Sequence, residues 1–311
     1  MIRNSQEHTR TNAIGGFMPI QVRRDTVLHS EATLPGTGYP AEILARFSSH
    51  AVWKNYFSQN KFINTPEYLA ALVDVIRRQG FHCPFHLRHV APDEIQFGPN
   101  YREGLCHGGL NSRQRAVWLE LSRFQAERPD REMRIYAPEA VTDFALLLRG
   151  RYAKFIGSEY APSPKDQAAL YPIRHENLQK LSFPDGAFDA VVVNDVLEHV
   201  PDVDLCLREM ARILRPDGAL VTTFPFAMGN AQSIIKARLT ESGIEHLDEP
   251  QYHGNPVDPK GSLAFEIPGW NILERAKESG FSTVEMVYET SLHHGILGGG
   301  FSGIFTMVAR R

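Results

Sequence analysis

Apolar and polar positions alternate in blocks along residues 181–226, LSFPDGAFDAVVVNDVLEHVPDVDLCLREMARILRPDGALVTTFPF, and this stretch organises the reading of the chain. The turn FPDGA leads into an unbroken apolar run through Val191, Val192 and Val193, as in a strand buried on both faces. After the polar loop NDVLEHVPD, Val203, Cys206, Leu207, Met210, Ile213 and Leu214 keep a helical period, and residues 219–223 read as a second strand. Strand, helix and strand in that order make one β-α-β unit of a parallel sheet.

The same alternation continues on both sides. Residues 133–137 and 154–158 predict strands, the second ending in Glu159, and between them Thr142 caps a helix carrying Phe144, Leu147 and Leu148. Downstream, residues 230–243 suggest a helix and residues 247–263 a polar loop containing QYHGNP. A helix then begins at Pro268 and stops at Gly280, before strands at 283–288 and 303–309. Gly298, Gly299 and Gly300 lie between those two strands, which suits a hairpin connection and not a phosphate cradle. Strands alternating with helices predict a doubly wound α/β sheet over residues 131–311.

Before residue 131 the pattern changes. Residues 1–43 lack sustained periodicity apart from a short strand signal at 17–22, and read as an extended arm. Residues 44–130 read as a smaller helical and loop-rich region. In it Thr65, Pro66 and Glu67 open a helix with Leu69, Leu72, Val73 and Ile76 on one face, closed by Gly80. Cys83, His86, Cys106 and His107 offer thiolate and imidazole of the kind zinc takes, but neighbouring residues rarely share one ion, so buried thiols in a loop-rich region are the plainer reading. Asn111 and Ser112 cap a helix whose Arg113 and Arg115 read as a solvated face, with an anionic partner as the alternative.

Composition narrows the class. In 311 residues, 42% hydrophobic and 22% charged, the net charge of -3 makes no electrostatic case for nucleic acid or an anionic membrane. Three scattered cysteines make no disulfide framework, no apolar run approaches the roughly 18 residues of a membrane span, and the first residues lack a signal peptide's apolar segment. A cytoplasmic protein is the expectation.

Ligands of open α/β sheets bind beyond the carboxyl ends of the strands, where strand order reverses. That rule selects Glu159, placed to take the hydroxyls of a ribose; Glu176, Asn177 and Leu178, placed around an adenine; and Asn194 and Asp195 at the end of the VVV strand. His199 follows, to orient the loop or handle a proton.

Across these residues the chain resembles the class I, Rossmann-like S-adenosylmethionine-dependent methyltransferases, through FPDGAFDAVVVNDVLEHVPD, LREMARILRPDGAL and TTFPF. The resemblance implies a seven-stranded sheet with an antiparallel last strand, S-adenosyl-L-methionine as cofactor, and Asn194 and Asp195 near its methionine part. The first loop departs from the family: RIYAPEAVTDF has no glycine, leaving Tyr136, Glu139 and Thr142 to meet the cofactor's amino acid end. The amino-terminal region faintly resembles a cysteine-paired knuckle found before this domain in some bacterial members, with His86 where a second cysteine is expected. For a hydroxyl acceptor a base is needed, and His253 is the candidate, with Tyr252 and Asn255 as acceptor contacts and Gly254 and Pro256 stiffening the turn. Methyl transfer to O or N of a small-molecule or saccharide-like acceptor is the first expectation. A module that keeps the fold without turnover, having lost the glycine loop, is the second.

Overall fold

The computed structural model describes residues 25, 27–30, 32–255, 257, 258 and 260–311; the strand expected at 17–22 lies outside them. The main sheet is built from β1 (Val27–His29), β2 (Glu42–Phe47), β3 (Arg134–Ala137), β4 (Lys154–Glu159), β5 (Arg174–His175), β6 (Phe188–Asn194), β7 (Leu214–Thr223), β8 (Thr283–Ser291) and β9 (Ile304–Arg310). Their order is β1-β2-β8-β9-β7-β6-β3-β4-β5. Strands β5, β4, β3, β6 and β7 run parallel, and β9 enters antiparallel between β7 and β8. The doubly wound sheet with an antiparallel last strand is therefore present. It is widened by β2, antiparallel to β8, and by β1 beyond it.

Strand β6 is buried at every position, which explains its apolar run 190–193, while its buried Asp189 is paired with Arg131 and Arg215. Helix α1 (His50–Gln59) lies near the extra strands, α2 (Pro66–Gln79) is capped by the Thr65 hydroxyl, and α3 (Ser112–Ala126) packs on β7 and β9. Helix α4 (Asp143–Arg151) follows β3, α5 (Val203–Ile213) packs on β7, and α6 (Ile272–Glu278) packs on α5 and β8. One continuous core joins Trp53, Tyr68 and Trp118 from the amino-terminal segments to Val191, Leu220 and Met286 of the sheet.

Two departures from expectation concern the amino-terminal segments. Strand β2 runs through the division placed between residues 43 and 44, because Ile43, Ala45 and Phe47 are buried in the core. It is further tied by Arg46, whose guanidinium donates to both oxygens of buried Glu120 on α3 at 2.9 and 2.7 Å, while Arg123 joins Glu120 to Glu289 of β8. The arginines of α3 are also not a solvated face: Arg113 is 8% exposed and Arg115 fully buried.

The helix expected at 230–243 is absent. Ile234–Ile235 pairs with Glu266–Ile267, and Ala237–Thr240 forms a hairpin with Gly243–His246, turned by Gly243 at φ 118°. The apolar residues Ile234, Ile235, Leu239 and Ile244 are exposed there, so no core imposes a helical face. Among the described residues no helix is long and apolar enough to cross a membrane.

Candidate active site

A cavity of about 1300 Å³ opens at the carboxyl ends of β3, β4 and β6, where the strand order turns back. Glu139, Thr142, Glu159, Glu176, Asn177, Leu178, Asn194, Asp195, His199, His253 and Asn255 all line it. Tyr136 and Tyr252 do not. Tyr136 is a core residue, edge-on to Phe183 and tilted against Phe188 with its hydroxyl 2.8 Å from Ser158 Oγ, and Tyr252 is 56% exposed.

The glycine-free first loop is well formed. None of residues 137–142 has a positive φ, so their backbone needs no glycine. The close approach falls instead on Gly157 of β4, where a Cβ would lie 3.0 Å from that of Ala140. The Thr142 hydroxyl accepts from Ala145 N and caps α4. Glu139 is buried with Oε1 accepting from Asn194 N and Nδ2 at 2.8 and 3.0 Å. Burial pushes its carboxyl up to about 8, against the pull of Arg113 and the Asn194 hydrogen bonds. The Asn194 side-chain oxygen is buried without a partner.

Glu159 ends β4 with Oε1 on the Val141 N–H at 3.1 Å, and burial raises its pKa. Glu176, by contrast, is spent within its own turn: Arg174, Ser182 N and Ser182 Oγ engage its two oxygens. Its side chain therefore clasps the turn and is not free for an adenine edge. Asn177 holds the same turn through Gln179 N, and Leu178 is left as the apolar wall. Asn255 is likewise committed, accepting from Val257 N and Asp258 N and donating to Ser262, so it shapes the loop and does not present itself to an acceptor. Pro256 lies outside the described residues.

Asp195 takes a left-handed backbone, φ 52°, a conformation Asp tolerates better than most residues. Its carboxylate meets Arg102 through two bonds of 2.7 Å, with Arg113 Nε at 3.4 Å. Burial opposes its charge, but Arg113 and Arg102 prevail and hold the acid at about 2. Both arginines come from the amino-terminal region, which thus supplies part of the cavity wall; for Arg113 the anionic partner is the alternative reading of the sequence, and Arg102 carries no local signal.

Beyond Asp195, Glu198 is fully buried and neither of its carboxylate oxygens has a hydrogen-bond partner. His199 Nε2 lies 3.6 Å and His253 Nδ1 3.5 Å from Glu198 Oε1, with the two imidazoles 4.9 Å apart and nearly perpendicular. The Glu198 carboxylate raises the pKa of His253. Loop 247–263, expected to be irregular, brings His253 here through a short ladder of Tyr252–His253 with Ser262–Leu263.

The other metal-like set does not converge. Cys83 Sγ sits 3.1 Å from His86 Nδ1, but Cys106 Sγ donates to the Glu103 carbonyl and His107 Nε2 faces the Arg88 guanidinium. Among the described residues, the groups with metal-ligand spacing are Glu198, His199 and His253, and separately His82, His293 and His294.

The fold is a mixed α/β one around a mostly parallel sheet, and within it residues 143–222 match the sequence family described as "Methyltransferase domain". A ubiquinone/menaquinone biosynthesis C-methyltransferase of Chromobacterium violaceum is 40% identical over 55 residues, 18% of this chain and 22% of that protein. A demethylmenaquinone methyltransferase of Bacillus licheniformis is 45% identical over 47 residues, 15% of this chain and 20% of that protein. The chain spans about a fifth of the length of these curated relatives. Among solved structures, the S-adenosylmethionine-bound amino pentose methyltransferase CalS10 of Micromonospora echinaspora aligns over 65% of this chain and 92% of that one, at 17% identity and a TM-score of 0.40.

Proposed function

We propose that the protein is an S-adenosyl-L-methionine-dependent methyltransferase acting on O or N of a small molecule, a saccharide-like compound among them. The observation that carries this reading is the wall of buried polar groups at the carboxyl ends of β3, β4 and β6: Glu139, Glu159 and the unpartnered Asn194 oxygen. These groups fit the cofactor's ends. Glu159 suits the ribose hydroxyls, Leu178 the adenine face, and Glu139 with the Asn194 oxygen the ammonium of the methionine part. When bound, the cofactor supplies a sulfonium methyl for in-line displacement.

The chain's own contribution is orientation, exclusion of water and a destination for the acceptor's proton. Arg102 and Arg113 fix Asp195, and so the loop that leads to Glu198 and His199. On the acceptor side the His199–Glu198–His253 cluster is the group that activates a hydroxyl or amine. The names of the curated relatives include a C-methyltransferase, but the family match ends at residue 222, before the acceptor-side segments 234–263.

Calorimetry with S-adenosylhomocysteine tests the reading. Binding is expected, and Glu159→Ala is expected to weaken it at least tenfold, about 1.4 kcal/mol. No detectable binding at millimolar ligand would favour the module without turnover. A second outcome concerns protons. At pH 7 Glu139 holds its proton, because its acid sits at about 8; an ammonium placed beside it favours the charged form, so affinity rises with pH up to about 8 and binding at pH 7 releases a proton. Titrations in buffers of different ionisation enthalpy read that release, and identical heats would place the ammonium elsewhere.

A further inference from the structure

A fully buried carboxylate with both oxygens unpartnered is costly unless a positive charge sits against it. Glu198 is such a group, and it is not an isolated one, since the ligand atoms of Glu198, His199 and His253 all lie within 4.8 Å of one another. The separations from Glu198 Oε1, 3.5 Å to His253 Nδ1 and 3.6 Å to His199 Nε2, are too long for hydrogen bonds. They match the spacing of ligands around one ion: bonds of about 2.1 Å put neighbouring ligands of a tetrahedral site about 3.4 Å apart.

The surroundings prepare the two imidazoles for that task. The Leu263 carbonyl, 2.9 Å from His199 Nδ1, takes that nitrogen's proton in a hydrogen bond and leaves the Nε2 lone pair toward Glu198. His253 Nε2 lies 3.1 Å from the Gln251 side-chain nitrogen, and a half-turn of that amide exchanges its nitrogen for its oxygen, puts the proton on Nε2 and leaves the Nδ1 lone pair toward Glu198. His199 thus has a second partner fixing its tautomer, as metal-bound histidines do, and His253 has one within a turn of an exposed amide.

We infer that Glu198, His199 and His253 form a binding site for a divalent transition-metal ion, which holds an acceptor through a hydroxyl and a second oxygen on the adjacent carbon. Two imidazoles and one carboxylate leave coordination positions open, and the cluster lines the same cavity as Glu139 and Glu159. A hydroxyl held by such an ion would lose its proton to solvent more readily, and the resulting oxygen would attack the sulfonium methyl, the O–C bond forming as the S–C bond breaks and its electron pair returns to sulfur, which leaves as S-adenosylhomocysteine. Leu239 and Ile244, paired across the adjoining hairpin, line the mouth and offer the acceptor an apolar surface. This rests on the methyltransferase reading for its acceptor, but the ion's binding can be measured alone.

The test uses full-length protein stripped with EDTA and titrated with Mn²⁺, free ion being followed by electron paramagnetic resonance, and with Co²⁺ followed by visible absorbance. One site per chain is expected, displaced by Zn²⁺. Glu198→Gln and His253→Ala are each expected to weaken Mn²⁺ binding at least tenfold, with circular dichroism confirming that they fold. Should Glu198→Gln fail to fold, the Co²⁺ spectrum of the wild type still decides, since nitrogen ligation shifts its absorption from that of the hydrated ion. Absence of Mn²⁺ and Co²⁺ binding at millimolar concentration, or equal binding by His253→Ala, overturns the inference. S-adenosylhomocysteine titrated into the stripped protein separates the two readings: bound cofactor product without metal binding removes the ion alone and leaves His253 as proton acceptor, whereas loss of cofactor binding defeats the methyltransferase reading itself.

Discussion

Arg115→Met is expected to lower the stability of the fold by about 3 kcal/mol, a fall in Tm of roughly 5 °C. Arg115 is fully buried without a carboxylate partner, and burial lowers its pKa to about 10. Its guanidinium donates to the carbonyls of Leu105, Leu110, His294 and Gly295 at 2.6–3.1 Å and lies 4.5 Å over the Phe81 ring. Methionine keeps the length and apolar bulk but makes none of those bonds. Leu110 and Gly295 retain other donors, His107 N and Ser112 Oγ, which is why the expected loss stays below four full hydrogen bonds. Urea unfolding at pH 7 measures it. A change under about 1 kcal/mol would mean that water or a shifted loop replaces the guanidinium.

That arginine shows where legibility in the sequence ends. A run such as Val191–Val193 declares a buried strand because every one of its side chains meets apolar neighbours, and the helical period of Val203 to Leu214 declares which face of α5 is covered. Arg115 breaks this correspondence, because its partners at His294 and Gly295 lie some 180 positions away and no local pattern announces them. Strand β2 is obscured for the same reason: it pairs with a strand some 240 positions on, and Arg46, on the face opposite Ile43, Ala45 and Phe47, is buried against Glu120 of a distant helix.

The site divides along similar lines. Residues at strand ends are placed by topology, so counting elements puts Glu159, Asn194 and Asp195 beside the cavity, whereas Glu139 comes only with the family resemblance. Which of the cavity's polar side chains are free is a matter of hydrogen bonding, and there Glu176 and Asn255 proved to be occupied by their own turns. The convergence of His253 on Glu198 needs a ladder within a segment rich in glycine, proline and acidic residues, and such a segment reads as loop. Glu198 itself left one trace, an acid set between Leu197 and His199 in the polar loop that follows the VVV strand.

Arg113 couples the scaffold to the site, and Arg113→Met is expected to destabilise the protein by about 2–3 kcal/mol, less than stripping a fully buried ion pair of one partner, because Asp195 keeps Arg102 and the part-exposed Glu103 keeps Asn111. Its guanidinium bonds both oxygens of Glu103, at 2.8 and 3.1 Å, and faces Asp195 and the Glu139 carboxyl. Asp195 keeps Arg102, so its charge survives and the loss from it does not vary with pH near neutrality. Glu139 behaves differently. Its folded pKa, about 8, lies above the ordinary 4.5, so its contribution to stability is full at low pH and is lost as pH rises, the loss ending near 8 where the folded acid ionises. Without Arg113 the carboxyl holds its proton to higher pH still, and the loss continues past 8. The deficit of the variant is therefore flat from pH 6 to 7.5 and grows between pH 8 and 9. Urea unfolding of both proteins across that range checks it, and a deficit that shrinks above pH 8 would mean that Arg113 does not supply Glu139's counter-charge.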